Sequence, residues 1–164
     1  MYDKNKEYAK AADAYGAYLK LQENPSLNDL YGMSGRYLNA AATATDSVEA
    51  KELADRGIEY INQVIDRAAD KIPAFYQRLA NLNIAGNNKK PNAAAIEAYD
   101  KVIELLNANP ANMDPANSEN QLRMYWQAYA FKAAYASMNG EKELAKEYND
   151  KATEIKNLMS GGAQ

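Results

Sequence analysis

The sequence predicts an all-α fold, and three observations predict it. Alanine supplies 31 of the 164 residues and tyrosine 13, against 2 Phe and 1 Trp. Large aliphatic side chains are therefore scarce, and a core must form by close approach across Ala faces with Tyr filling the gaps, which favours packed helices over a Val/Ile-rich sheet. Apolar residues recur at spacings of three and four along nearly the whole chain, the period of one helical face. The alternating stretches that a sheet requires are missing. The length suits one domain or one short repeat array, at roughly 100–200 residues per domain.

Seven helices follow in order. The first, over 4–22, carries Tyr8, Ala11, Ala12, Tyr15, Tyr18 and Leu19 on one face. Asn24-Pro25-Ser26 ends it, since the residue before Pro avoids the helical region. A second helix over about 28–43 has Leu30, Tyr31, Tyr37, Leu38 and Ala41 as its apolar positions. Asp46-Ser47-Val48-Glu49 reads as a capping box, an acceptor side chain followed three residues later by Glu. It opens a third helix, to 69, striped by Leu53, Ala54, Ile58, Ile61, Val64 and Ile65. The capping role accounts for Asp46-Ser47 without a modification site. Pro73 sits where a first helical position belongs. The fourth helix carries Phe75, Tyr76, Leu79, Ala80 and Leu82 and fades at Gly86-Asn87-Asn88; the fifth starts near Pro91 with Ala95, Ala98, Tyr99, Val102, Ile103 and Leu106 and runs to 107.

Residues 107–120 form a long polar connector whose Asn, Pro, Asp and Ser favour turns. The sixth helix, 119–138, is rich in aromatics: Trp126, Tyr129 and Ala133 fall on one stripe, Ala128, Phe131 and Tyr135 on another. One stripe is expected in the core, leaving the other to line a groove. After the Asn139-Gly140 turn, a seventh helix uses Leu144, Ala145, Tyr148, Ala152 and Ile155 and ends by 159, before a flexible tail at 160–164.

Composition excludes several function classes. Without Cys there are no disulfides, thiolate metal sites or cysteine nucleophiles. Without His the commonest general base and transition-metal ligand are gone, and a Ser-His-Asp triad cannot form. The net charge is −3, and residues 1–82 carry 10 basic and 12 acidic side chains against 9 and 10 in 83–164. Neither half offers the clustered positive face that nucleic acid requires, and Lys4, Lys6, Lys89 and Lys90 read as solvated surface. No window approaches a transmembrane helix, and Met1-Tyr2-Asp3-Lys4 does not open a signal peptide. Carboxylate pairs such as Glu49/Glu52, Asp66/Asp70 and Glu143/Glu147 sit beside Lys or Arg on polar faces, as ordinary helical charge pairs do. The connector holds oxygen donors in Asn107, Asn109, Asn112, Asp114, Asn117 and Glu119 but lacks the glycine and the terminal Glu of a calcium loop, so it reads as a connector. No cofactor is expected.

One spacing recurs: a small residue, a packing position four later, a third three after that. Ala11-Tyr15-Tyr18, Ala50-Ala54-Gly57 and Ala95-Tyr99-Val102 show it, and Ala145-Asn149-Ala152 shows it weakly. The small residue lets a neighbouring helix approach, and the larger side chain one turn on fills the groove beside it. Together with Tyr8-Ala-Lys-Ala-Ala-Asp-Ala-Tyr15, Asn92-Ala-Ala-Ala-Ile-Glu-Ala-Tyr99 and Gly140-Glu-Lys-Glu-Leu-Ala145, this resembles the second helix of a tetratricopeptide repeat. First-helix resemblance is partial at Tyr76-Leu79-Ala80-Asn83 and at Tyr31-Ser34-Gly35-Leu38, and poorest at Ala128-Phe131-Lys132-Tyr135. The repeated Ala positions 11, 50, 95 and 145 are 39, 45 and 50 residues apart, against about 34 in that family.

The resemblance implies a right-handed superhelical stack of antiparallel helix pairs, a single array over 1–159. It would comprise an unpaired helix at 4–22 and pairs at 28–69, 72–107 and 119–159. It further implies a binding module and no enzyme, with a protein or peptide partner held on the concave surface formed by the first helices. Mapping the groove-facing offsets gives Arg36 and Asn39, then Gln77 and Asn81, then Trp126 and Tyr129. The version of the family that clamps a terminal carboxylate needs a convergent set of Lys, Arg and Asn, which Arg36 and Asn81 alone do not make. An unpaired first helix leaves Tyr8, Tyr15, Tyr18 and Leu19 exposed, which suggests the C-terminal part of a longer array or a homodimer through that helix. The competing reading is an architectural or self-association segment of a larger envelope or cytoplasmic protein. The Ala/Asn/Tyr-rich style resembles that of bacterial arrays, many of them exported, so the expectation leans to the periplasm or envelope over the cytoplasm.

Overall fold

The computed structural model describes residues 4–116 and 118–161, without the side chains of 4–6. Every regular element among them is helical: α1 (Lys4–Lys20), α2 (Leu27–Thr43), α3 (Ser47–Arg67), α4 (Pro73–Ala85), α5 (Ala93–Asn107), α6 (Glu119–Met138) and α7 (Lys142–Gly161), with a 3-10 helix at Pro110–Met113. No helix among the described residues is long and apolar enough to cross a membrane.

The ends follow local chemistry. Ser26 caps α2 by accepting from the Asp29 amide at 3.1 Å. Asp46 Oδ1 accepts from the amides of Val48 and Glu49 at 3.0 and 2.8 Å, which satisfies two donors that α3 cannot use itself. Pro73 opens α4, where its missing N–H costs nothing. Asn92, one residue past Pro91, caps α5. At the end of α6, Gly140 adopts φ +79, Glu141 N donates to Ala136 O at 2.9 Å and Gly140 N to Ser137 O at 3.1 Å. This pair of bonds is a Schellman motif, and its left-handed residue is a glycine for steric reasons.

The contacts divide the chain into two compact units: Met1–Lys71 with Arg78–Lys90, and Ile72–Gln77 with Pro91–Gln164. The division falls inside α4. In the first unit α1 packs on α2 and α2 on α3. Leu30, Met33, Tyr37, Ala40 and Ala41 of α2 are buried with Ala12 and Leu19 of α1 and Ala50, Leu53 and Ala54 of α3. Small residues set the spacing here. A Cβ at Gly57 would lie 2.5 Å from Leu82 Cδ2 and 3.1 Å from Tyr37 Cβ, and one at Gly86 would lie 2.8 Å from Ala54 Cβ. In the second unit α5 packs on α6 and α6 on α7. Tyr99 is fully buried there, with its ring stacked on Phe131 at 5.6 Å between centroids. Ser118 is buried and donates to Ala111 O at 2.7 Å, and Asn112 donates to Leu106 O at 2.8 Å, so the connector is tied down by its own polar side chains. Asn117 lies outside the described residues.

Three expectations are corrected. The stripe expected to lie exposed on the first helix is partly covered, since α1 packs on α2. Leu19 is buried against α2, and Tyr15 Oη donates to Asp29 Oδ1 at 2.9 Å, so only Tyr8 and Tyr18 of the expected stripe are exposed, at 46% and 55%. The physical reason is that Ala12, Tyr15 and Leu19 share one stripe that turns towards α2, while Tyr18 stands round the helix from it and Tyr8 lies a turn before Ala12. Of the flexible tail expected at 160–164, residues 160 and 161 are helical instead, because α7 continues to Gly161 with Ser160 Oγ bonded back to Lys156 O; residues 162–164 lie outside the described residues. On α6 neither stripe is wholly core. The buried set is Leu122, Tyr125, Ala128, Ala133 and Ala136, which takes one alanine from each stripe and leaves both sets of aromatics at least partly exposed.

Candidate functional site

On α2, Gly32, Gly35, Arg36 and Asn39 follow the three-four spacing of one helical face. They line a pocket of about 370 Å³ together with Tyr31, Leu38 and Arg78. Arg78 reaches it from α4. Its guanidinium lies 4.4 Å from the centre of the Tyr31 ring and donates to Tyr31 O and Ser34 Oγ, both at 3.2 Å. Ser34 is fully buried and donates onward to Tyr31 O at 2.7 Å. Gly35 has no Cβ because Arg78 Nη1 takes that space. Arg36 lies over the Tyr15 ring at 4.9 Å. Hydrogen bonds from Ser26 and then Tyr15 hold the Asp29 carboxyl below its usual range, so the group that anchors Tyr15 stays ionised. The lining thus presents two guanidinium groups and an amide, with no carboxylate among its residues.

The six residues expected on a groove fall into separate settings. Arg36 and Asn39 share the pocket just described, and Asn81 belongs to the same unit but is not in its lining. In the second unit, Gln77 Nε2 donates to Gln127 Oε1 at 2.6 Å. Trp126 is 38% exposed on α6. Tyr129 is half-buried and tilts against Tyr148 at 6.1 Å. The other side-chain partner of Tyr148 is Lys132, whose ammonium lies 4.7 Å from the ring centre and pairs with Asp100. Sequence reasoning missed Arg78, which stands one residue past Gln77 and so about a quarter-turn round α4. The available signal lay on α2, where two glycines three apart open a face that a long side chain can enter.

A second polar cluster joins α1, α2 and α3. Tyr37 Oη and Arg56 Nη1 donate to the same oxygen, Asp13 Oδ1, at 3.0 and 2.8 Å, and the Tyr37 and Tyr60 rings stack at 5.9 Å. Burial, reinforced by the bond to Asp13, pushes the Tyr37 phenol up to about 12. The native state therefore keeps a proton that the unfolded chain gives up near the ordinary phenol value of 10.0. The stability this contributes is complete below that value and is lost as pH rises through about 12. Denaturant melts between those pH limits should show a smaller alkaline loss in Tyr37→Phe than in the parent; equal losses would remove Tyr37 as a source.

Among the described residues no three acidic side chains gather as a metal site would require. No family model matches the chain, and no curated protein and no solved structure matches it either.

Proposed function

We propose that the chain is a non-enzymatic, tetratricopeptide-like binding module, built as a right-handed stack of antiparallel helix pairs. Its α2–α4 pocket holds an acidic side chain of a partner peptide or helix. One observation carries the reading: Arg36, Arg78 and Asn39 converge on about 370 Å³ with no carboxylate in the lining. Tyr15 and Tyr31 hold the two guanidinium groups by ring contact, which lowers the ordering cost of binding, and guanidinium groups pair with carboxylates by two parallel hydrogen bonds. The close packing of α2 on α3 and of α6 on α7, each pair joined by a short connection, supports the repeat reading.

The test uses fluorescence anisotropy with short labelled peptides that differ only in carrying Glu, Gln or Lys at one central position. The Glu peptide should bind best and weaken with added salt. Arg36→Ala should lower its affinity by about tenfold or more, as expected for a lost charge-assisted bond. Arg78→Lys, which keeps the charge but loses the fork, should also weaken it. Equal binding of the Glu and Gln peptides, or no response to Arg36→Ala, would overturn the reading. Retention of no peptide at all would favour the architectural alternative, for which the exposed Tyr8 and Tyr18 of α1 speak.

A further inference from the structure

A second pocket, of about 550 Å³, lies against α1, α2 and α3 of the first unit. Its α1 side is Asp13, Ala17 and Lys20, with Gly16 between them; Arg56, Glu59 and Tyr60 come from α3 and Tyr37 from α2. Two acidic groups thus face two basic ones, so the pocket offers little net charge to an ion. It offers hydrogen-bond donors and acceptors set side by side next to two stacked phenol rings.

The capacity of those groups is only partly used. Tyr37 and Arg56 both donate to Oδ1 of Asp13, which leaves Oδ2 for a further donor and most of the five guanidinium N–H groups for further acceptors. At Gly16 the α1 backbone comes close to the phenols and so fixes the wall of the pocket: a Cβ there would stand 3.3 Å from Tyr60 Oη and 3.5 Å from both Tyr37 Oη and Met33 Cε. Tyr37 is only 4% exposed, so its ring and hydroxyl are fixed before any ligand arrives.

We propose that this pocket binds a neutral polyhydroxyl ligand, a sugar unit. A hydroxyl donates and accepts at once, so neighbouring hydroxyls can satisfy a carboxylate and a guanidinium held side by side. Such a ligand brings no charge of its own to desolvate, whereas a zwitterion would strip water from two charges to meet an Asp13–Arg56 pair that is already neutralised. The C–H groups of a sugar ring suit the half-buried Tyr60, the aromatic side chain of the lining that is not fully buried. The volume lies within the range of small-molecule sites, about 300–1,000 Å³.

The experiment is an NMR titration of the full, isotopically labelled chain. The probes are glucose, galactose, mannose, maltose, cellobiose and lactose, with glycylglycine as the zwitterion and succinate as the anion. At least one saccharide should give saturable shifts confined to the amides around Asp13–Lys20, Tyr37 and Arg56–Tyr60, with a Kd in the millimolar range or tighter. Ala17→Leu fills the pocket from an exposed α1 position; it should keep the parent's melting temperature and weaken saccharide binding by about tenfold or more. Glu59→Gln, close in shape, should weaken it as well. The proposal is overturned if no saccharide gives saturable shifts, if glycylglycine or succinate moves the same amides as strongly, or if Ala17→Leu binds as the parent does.

Discussion

Tyr99→Ala should be the most damaging single substitution in the second unit, lowering stability by about 3–5 kcal/mol, the usual range for truncating a buried aromatic to alanine. The ring is fully buried, and burial alone raises its phenol well above the ordinary value. It stacks on Phe131 at an interplanar angle of 11°, an arrangement worth about 0.5–1.5 kcal/mol beyond its area. Val102 and Leu106, the next residues on the same face of α5, are themselves fully buried, so little can move in to close the cavity. Helical circular dichroism should show a melting temperature lower by roughly 10 °C or more. Tyr99→Phe keeps the ring and should cost far less, near the net worth of one hydrogen bond, about 1 kcal/mol. A Tyr99→Ala variant within that same margin of the parent would show that the core of this unit does not depend on the α5–α6 contact.

The second large effect runs against helix propensity. Gly57 stands mid-helix in α3, where an exposed Gly→Ala change would gain up to about 1 kcal/mol. Here Leu82 Cδ2 and Tyr37 Cβ already occupy the space, at 2.5 and 3.1 Å from the added carbon. Leu82 is fully buried and Tyr37 is pinned by its bond to Asp13, so neither has an open direction in which to move. Gly57→Val should therefore cost about 2–3 kcal/mol through overpacking. Gly32→Ala, where nothing lies within 4 Å of the added carbon, should stabilise. If both substitutions shifted the melt the same way, close approach at Gly57 would be the wrong explanation for that glycine.

The helices were legible because their ends carry chemistry that acts within a few residues. Asp46 and Pro73 start α3 and α4 where the sequence places them, and the Asn139-Gly140 turn ends α6. Which face each helix buries was much less legible. In an Ala-rich helix several faces are apolar enough, so the neighbour decides. Leu19 and Tyr18 are adjacent in sequence, yet one is core and the other exposed. The stripes of α6 show the same effect, since Ala128 and Ala133 are both buried although they belong to different stripes. The site was legible in part. Arg36 and Asn39 share a pocket, but Arg78, which lines it with them, lies about forty residues on, bonded to Tyr31 and Ser34. Asp13, Tyr37 and Arg56 are likewise far apart in the chain. Periodicity within one helix carries no signal for such pairings, because they depend on how three helices cross.

The single indole of the chain has a practical consequence. Trp126 stands on α6 in the second unit, partly open to water, and its emission therefore reports the immediate surroundings of one point on that helix. The described part of the first unit carries phenols such as Tyr15, Tyr37 and Tyr60 and no indole. Far-ultraviolet ellipticity sums the helices of both units. Wherever an emission curve and an ellipticity curve separate during unfolding, the difference between them marks helix lost away from the neighbourhood of Trp126, obtained without a label or a truncation.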